Sequence, residues 1–175
     1  RAIALDPGFA EAYARKASVL LLSHWLAVGP SSLKDDARAA LAQAQRLAPD
    51  NLETLLAQAQ EHYWGQLDYA RADATLQQVL ARVPDHAEAL ETRAYVARRD
   101  GRFDDALTAL ERALVIDPQS ADVMQSIVET LLIAKGDFDG AAAMLQRARL
   151  LGTDTRVRAI WIEEQRGDLE AAWAA

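Results

Sequence analysis

The chain has 175 residues, 51% hydrophobic and 26% charged, with a mean hydropathy of −0.12, a length that fits one compact domain or one continuous repeat array. With 19 Lys and Arg against 26 Asp and Glu, the net charge is −7 and the pI about 4.9, so the chain lacks the basic footprint that would hold a phosphate backbone or an anionic membrane. Zero cysteines exclude disulfides, thiolate metal sites and cysteine catalysis. A cytoplasmic location is expected, although cysteine usage suits a periplasmic one equally.

The opening Arg1-Ala2-Ile3-Ala4-Leu5-Asp6-Pro7 repeats Arg112-Ala113-Leu114-Val115-Ile116-Asp117-Pro118 from the middle. The chain is therefore expected to start within the last helix of a preceding unit and to be a piece of a longer polypeptide. Pro7, Pro49, Pro84 and Pro118 close near-identical phrases at spacings of 42, 35 and 34 residues, a period that marks stacked helical hairpins. After each proline a first helix is predicted. A large apolar residue stands six on (Tyr13, Leu55, Leu90, Met124) and a small one ten on (Ala17, Ala59, Ala94), with Val128 the exception. Before each of the later prolines a second helix is predicted. Ala37, Ala72 and Ala106 stand twelve back, Leu41, Leu76 and Leu110 eight back, and Ala44, Val79 and Ala113 five back, all on one helical face. Small residues let the backbones approach, and larger ones fill the groove between hairpins.

The first unit carries the largest irregularity, because Ser23-His24-Trp25-Leu26-Ala27-Val28-Gly29-Pro30-Ser31-Ser32 separates its two helices. Ser32 reads as an N-cap with Asp35 three further on, so the second helix is expected from Leu33. The first is expected to run about two turns past its usual end, leaving Trp25 and Leu26 outside the regular stack. The apolar run from Val19 stops at Gly29-Pro30, short of the roughly 20 residues needed to span a bilayer. Gln66-Leu67-Asp68 reads as a smaller insertion that lengthens the second turn. Gly101 and Gly136, each five residues before its alanine (Ala106, Ala141), are placed to end first helices in left-handed caps, and Gly167 and Ala172 repeat that spacing. The expected units are 1–7 (the end of a preceding repeat), 8–49, 50–84, 85–118, 119–152 and a truncated 153–175, with Trp161 covering the last.

In the third copy Leu90, Ala94, Gly101, Phe103, Ala106, Leu110, Ala113 and Pro118 stand at the spacing of the tetratricopeptide repeat family, which the chain resembles over essentially its whole length. The resemblance implies an all-α fold, an α-solenoid of stacked antiparallel helix hairpins in a right-handed superhelix. It also implies a non-catalytic protein-interaction role. Lys16, Gln58 and Arg93, nine after their prolines, and Val128 depart from the family pattern and are expected to loosen local packing. In the family, first-helix residues seven, eleven and fourteen after each proline face the concave groove. Here these are Ala14, Ser18 and Leu21, then Leu56, Gln60 and Tyr63, then Glu91, Tyr95 and Arg98, then Gln125, Glu129 and Leu132. The expected partner-binding residues are Leu56, Gln60, Tyr63, Trp64, Glu91, Tyr95, Arg98, Arg99, Gln125 and Glu129, with the aromatics and arginines supplying the residue types that dominate interface energetics. For Tyr63 and Trp64, packing against the second turn is an equal alternative. The family's clamp for a C-terminal carboxylate is not matched, because Ala14, Leu56 and Glu91 stand where it needs basic or amide groups. Glu11, Glu53, Glu88 and Asp122, four after each proline, form an acidic column that either faces a basic partner or complements the helix dipoles.

No catalytic constellation is present. His24, His62 and His86 belong to different units without a metal-binding helical partner, and His62 reads as a packed histidine. Asp104-Asp105 and Glu163-Glu164 read as solvated faces, and no phosphate loop or nucleophile elbow occurs. No enzyme activity, cofactor, metal or small-molecule substrate is expected; nucleic acid and membrane are not expected partners. The expected partner is a protein or peptide. The alternative is a spacer or self-association module for flanking signalling or regulatory domains, acting through Trp25 and Leu26 or through the open ends of the stack. Sixteen arginines against three lysines lean the composition toward a bacterial source.

Overall fold

The computed structural model describes residues 2–152 and Gly167; the expectations for Trp161, Glu163-Glu164, Ala172 and the unit 153–175 concern residues outside that range. Every described element is helical. A short α1 (Ala2–Leu5) leads into four hairpins: α2 (Ala10–Trp25) with α3 (Leu33–Leu47), α4 (Leu52–Gln60) with α5 (Tyr69–Arg82), α6 (Ala87–Arg99) with α7 (Phe103–Ile116), and α8 (Ala121–Thr130) with α9 (Phe138–Leu150). Each helix packs on its successor, and α2 also lies against α4, so the hairpins stack as a solenoid.

The apolar positions at fixed offsets from the prolines form the core. Ala37, Leu41 and Ala44 of α3, Ala72, Leu76 and Val79 of α5, Ala106, Leu110 and Ala113 of α7, and Ala141, Leu145 and Ala148 of α9 are all buried. One cluster runs without a break from Leu56 in α4 to Ala148 in α9, so neighbouring hairpins share their apolar faces. Of the three polar residues nine after the prolines, Lys16 is exposed. Gln58 of α4 accepts a hydrogen bond from Gln45 of α3, and Arg93 of α6 pairs with Asp73 of α5 at 3.0 Å, so two of the three bridge to the preceding hairpin. Arg112 and Arg147 donate to the carbonyls of Pro84 and Pro118, tying each later hairpin to the turn before it.

Three local expectations are corrected. First, α2 has 16 residues against 13 in α6, an extension of less than one turn; it ends because Ala27 and Gly29 take left-handed backbone. Second, α3 begins at Leu33 as expected, yet Ser32 is already helical in its backbone and makes no side-chain cap. Caps occur instead at Asn51, Asp68, His86, Ser120 and Asp137, each of whose side chains accepts from a backbone N–H two or three residues on.

The third correction concerns Gln66-Leu67-Asp68. The turn there is no longer than its counterparts. Leu67 and Gly136 stand eighteen residues after Pro49 and Pro118, whereas Gly101 stands seventeen after Pro84. The extra residue is wound into the end of the first helix as a π-turn, at Glu61–Gly65 after α4 and at Leu131–Lys135 after α8, while α6 has none. The closing bonds show the same count: Asp68 N–H reaches back six residues to His62 and Asp137 six to Leu131, but Arg102 only five to Ala97. Leu67 then takes the left-handed cap, at φ +59, that Gly101 and Gly136 take elsewhere.

Two stability outcomes follow. Leu67 is 56% exposed and loses little packing on truncation, so Leu67→Gly is expected to stabilise by about 1 kcal/mol or less, relief of the left-handed strain being partly offset by glycine's unfolded-state entropy. Leu90→Ala, emptying a fully buried site, is expected to cost about 2–5 kcal/mol, against less than about 0.5 kcal/mol for Val115→Ala at the surface. Urea unfolding of the three variants measures both.

Candidate functional site

The first helices of successive hairpins lie side by side and enclose one open cleft of about 420 Å³. α6 supplies its floor, because Glu88, Glu91, Tyr95 and Arg98 recur at helical spacing on one face. α8 adds Asp122, Gln125, Ser126 and Glu129; α4 and its π-turn add Gln60, Tyr63 and Trp64; the extended end of α2 adds Leu22, Trp25 and Leu26. Nine of the ten residues expected from the sequence therefore line the cleft. The tenth, Leu56, is 1% exposed and belongs to the core, as do Ala14, Leu21 and Leu132 at other positions of the expected groove register, and Ser18 is buried without lining the cleft.

Sequence reasoning missed Leu22, Thr92 and Ser126 as lining residues, and it placed Trp25 and Leu26 outside the stack. Thr92 and Ser126 stand eight after their prolines, on the same helical stripe as positions four, seven and eleven, so widening the stripe by one residue would have found them. Trp25 lines the cleft because α2 runs past the cleft's edge. Its ring centroid lies 5.6 Å from that of Tyr63.

Tyr63 is the hub of the aromatic end, with Trp64 at 5.6 Å and Tyr69 at 6.0 Å. It is 2% exposed, so it supports the wall, while Trp25 and Trp64 present partly exposed rings. Burial pushes the Tyr63 hydroxyl above its ordinary value, opposed by its hydrogen bond to Arg99. The guanidinium of Arg99 stands 5.3 Å over the Trp25 ring, and that of Arg98 stands 5.7 Å over Tyr95 while pairing with Glu129 at 3.2 Å. This end of the cleft is aromatic and cationic.

The opposite end is acidic. Arg15 of α2 reaches Glu88 at 2.7 Å and Glu53 at 3.7 Å, and Glu11 accepts from Asn51 at 2.8 Å. Three members of the acidic column are thus engaged by the chain itself, across as many as three hairpins. Glu91 lies one turn deeper than Glu88, and its carboxyl is pushed above the ordinary carboxylate range, first by burial and then by the charges of Asp122, Glu88 and Asp117. A hydrogen bond from the Tyr95 hydroxyl opposes that shift in part; Tyr95 is likewise raised by burial, and its hydroxyl accepts from Ser126 at 3.4 Å.

His62 is largely buried beside Glu61, which pairs with Arg38 at 3.0 Å and accepts from Gln66. Among the described residues no group of three or more His, Cys, Asp or Glu is placed to hold a metal ion, and no helix is long and apolar enough to cross a membrane.

Stacked hairpins whose first helices line a shared cleft define a helical-repeat protein. Sequence models described as tetratricopeptide repeat match residues 56–121 and 97–160, and the chain is a tetratricopeptide repeat protein. No curated protein sequence matches it. Solved structures with the same fold include PilW, a widely conserved type IV pilus biogenesis factor, at 21% identity and TM-score 0.80, covering 99% of this chain and 77% of that one. Residues 41 to the end of MamA from Desulfovibrio magneticus RS-1 give 18% and 0.70, covering 95% and 90%. TTC0263, a thermophilic tetratricopeptide repeat protein of Thermus thermophilus, gives 19% and 0.68, covering 92% and 87%. At these identities the likeness is one of fold.

The raised carboxyl of Glu91 carries a stability consequence. The folded chain holds this proton to a higher pH than the unfolded chain does, so ionising Glu91 destabilises the fold; the penalty is absent below the ordinary carboxylate value and complete above the raised one. Glu91→Gln is expected to raise the melting temperature at about pH 7 and to leave it nearly unchanged at about pH 3. Thermal unfolding at both values decides, since an equal gain at both would assign the effect to packing.

Proposed function

We propose that the chain is a non-catalytic adaptor or regulatory region of a larger protein that takes a segment of its partner into the concave cleft. Tetratricopeptide repeats are in general protein-interaction or scaffold modules. The observation that carries the finer reading is the convergence of four first helices on one cleft, whose lining combines partly exposed Trp25, Trp64 and Tyr95 with Arg98 and Arg99. Such side chains give large contact area at low entropic cost, and a wall fixed by core packing needs little rearrangement to bind.

A second reading, self-association, is favoured by the exposed apolar residues Leu26 and Val28 beyond α2. The lack of cysteine lets one photo-crosslinker be placed uniquely, at Leu22→Cys in the cleft or at Gln78→Cys on the exposed face of α5. In a lysate of the source cells, a protein adduct formed from the cleft position and not from α5 is the expected outcome. Adducts formed equally from both positions would overturn cleft binding, and adducts made only with further copies of this chain would establish self-association.

A further inference from the structure

We propose that the acidic end of the cleft is a subsite for a cationic side chain, arginine or lysine, carried by the partner segment; this rests on the cleft-binding reading and names the chemistry it selects. Glu88, Glu91 and Asp122 converge there from α6 and α8. Dipole complementation accounts for Glu88 and Asp122, which stand in the first turns of their helices, but not for Glu91, which lies a turn deeper. Arg15 reaches only Glu88 of the three, and among the described residues no cation stands within ion-pair distance of Glu91 or Asp122. Their mutual repulsion is the state that an incoming cation relieves.

A second observation points to the same place. Gln60 lines the cleft at 2% exposure, and its amide nitrogen donates to Glu88 at 3.1 Å, while its carbonyl oxygen Oε1 is buried without a hydrogen-bond partner. A buried acceptor left unmade is costly, and the neighbouring carboxylates, which only accept, cannot satisfy it. A guanidinium with its five N–H groups supplies donors to the carboxylates and, once a small turn of the Gln60 side chain uncovers it, to the amide oxygen as well; an ammonium supplies three. The burial that raises Glu91 also strengthens any ion pair formed there.

The cleft is therefore polarised, acidic at the first turns of α6 and α8 and aromatic with Arg98 and Arg99 at their far ends. A segment that places its cation among Glu88, Glu91 and Asp122 sets an apolar or aromatic residue toward Trp25 and Trp64. Peptide direction and spacing are fixed by that polarity.

A randomised library of N-acetylated nine-residue peptides tests this, panned on the wild-type chain, on the double variant Glu91→Gln, Asp122→Asn, and on Tyr95→Ala, each checked for helicity and cooperative melting. Acetylation leaves side chains as the only cations offered. The expected result is enrichment of Arg or Lys at one position by about tenfold on the wild type, lost on the double variant while apolar selection at another position persists. Selection that depends on Tyr95 but shows no cationic preference, or a cationic preference surviving in the double variant, would overturn the subsite and leave cleft binding standing. Enrichment no greater on the wild type than on Tyr95→Ala would overturn both.

Discussion

Shared burial between hairpins is the constraint on which everything else in this chain depends. A single hairpin presents apolar side chains on two faces and can cover neither by itself, so the stack exists only because each hairpin gives a face to the next. Fully buried alanines at Ala17, Ala59 and Ala94 in the first helices and at Ala37, Ala72, Ala106 and Ala141 in the second set how closely the helices approach. A larger residue at any of these would push two helices apart. The separation of the first helices is the width of the cleft, so the shape of the cleft is fixed by buried positions that do not line it.

The same dependence explains the two π-turns. An extra residue between a proline and its left-handed cap must go somewhere, and placing it in the turn would shift the second helix out of register with its core. Winding it into the last turn of the first helix keeps Ala72 and Ala141 five residues after Leu67 and Gly136, as Ala106 is after Gly101. The rotation falls where the aromatic wall is built, since Tyr63 and Trp64 lie within the first π-turn and both line the cleft. A local widening of the helix serves the core and the site together.

The fold was legible in the sequence because its signals are spacings, and prolines, alanines and cap glycines repeat at fixed offsets. What escaped was set by contacts that offsets do not encode. Leu67 carries no glycine, so its left-handed cap was read as an inserted turn. Ser32 looked like a cap by residue type, but the backbone before α3 was already helical. Within the cleft, α6 and α8 were readable because their lining side chains are polar and aromatic. Register misled at Ala14, Leu21, Leu56 and Leu132, where it alone pointed to the groove and apolar chemistry drew the residues into the core. Trp25 was invisible as a wall residue because its place depends on where α2 stops.

The charge pattern separates what stabilises the chain from what strains it. Glu11, Glu53 and Glu88 are tied to Asn51 and Arg15, contacts that help hold the first three hairpins in line. Exposed pairs of this kind contribute little each, about 0–1 kcal/mol. Glu91 has the opposite character: it is more deeply placed, crowded by Asp122 and Glu88, and raised in its titration as a result. A carboxylate kept where burial and like charges disfavour its ionisation works against the fold that surrounds it. Together with the orphan oxygen of Gln60, it concentrates unmet electrostatic demand at one end of the cleft, while Arg98 and Arg99, engaged with Glu129 and the aromatic rings, balance the other. The disfavoured charge of Glu91 thus lies on the cleft face that the hairpins share, while the buried alanines and leucines behind it keep the stack closely packed.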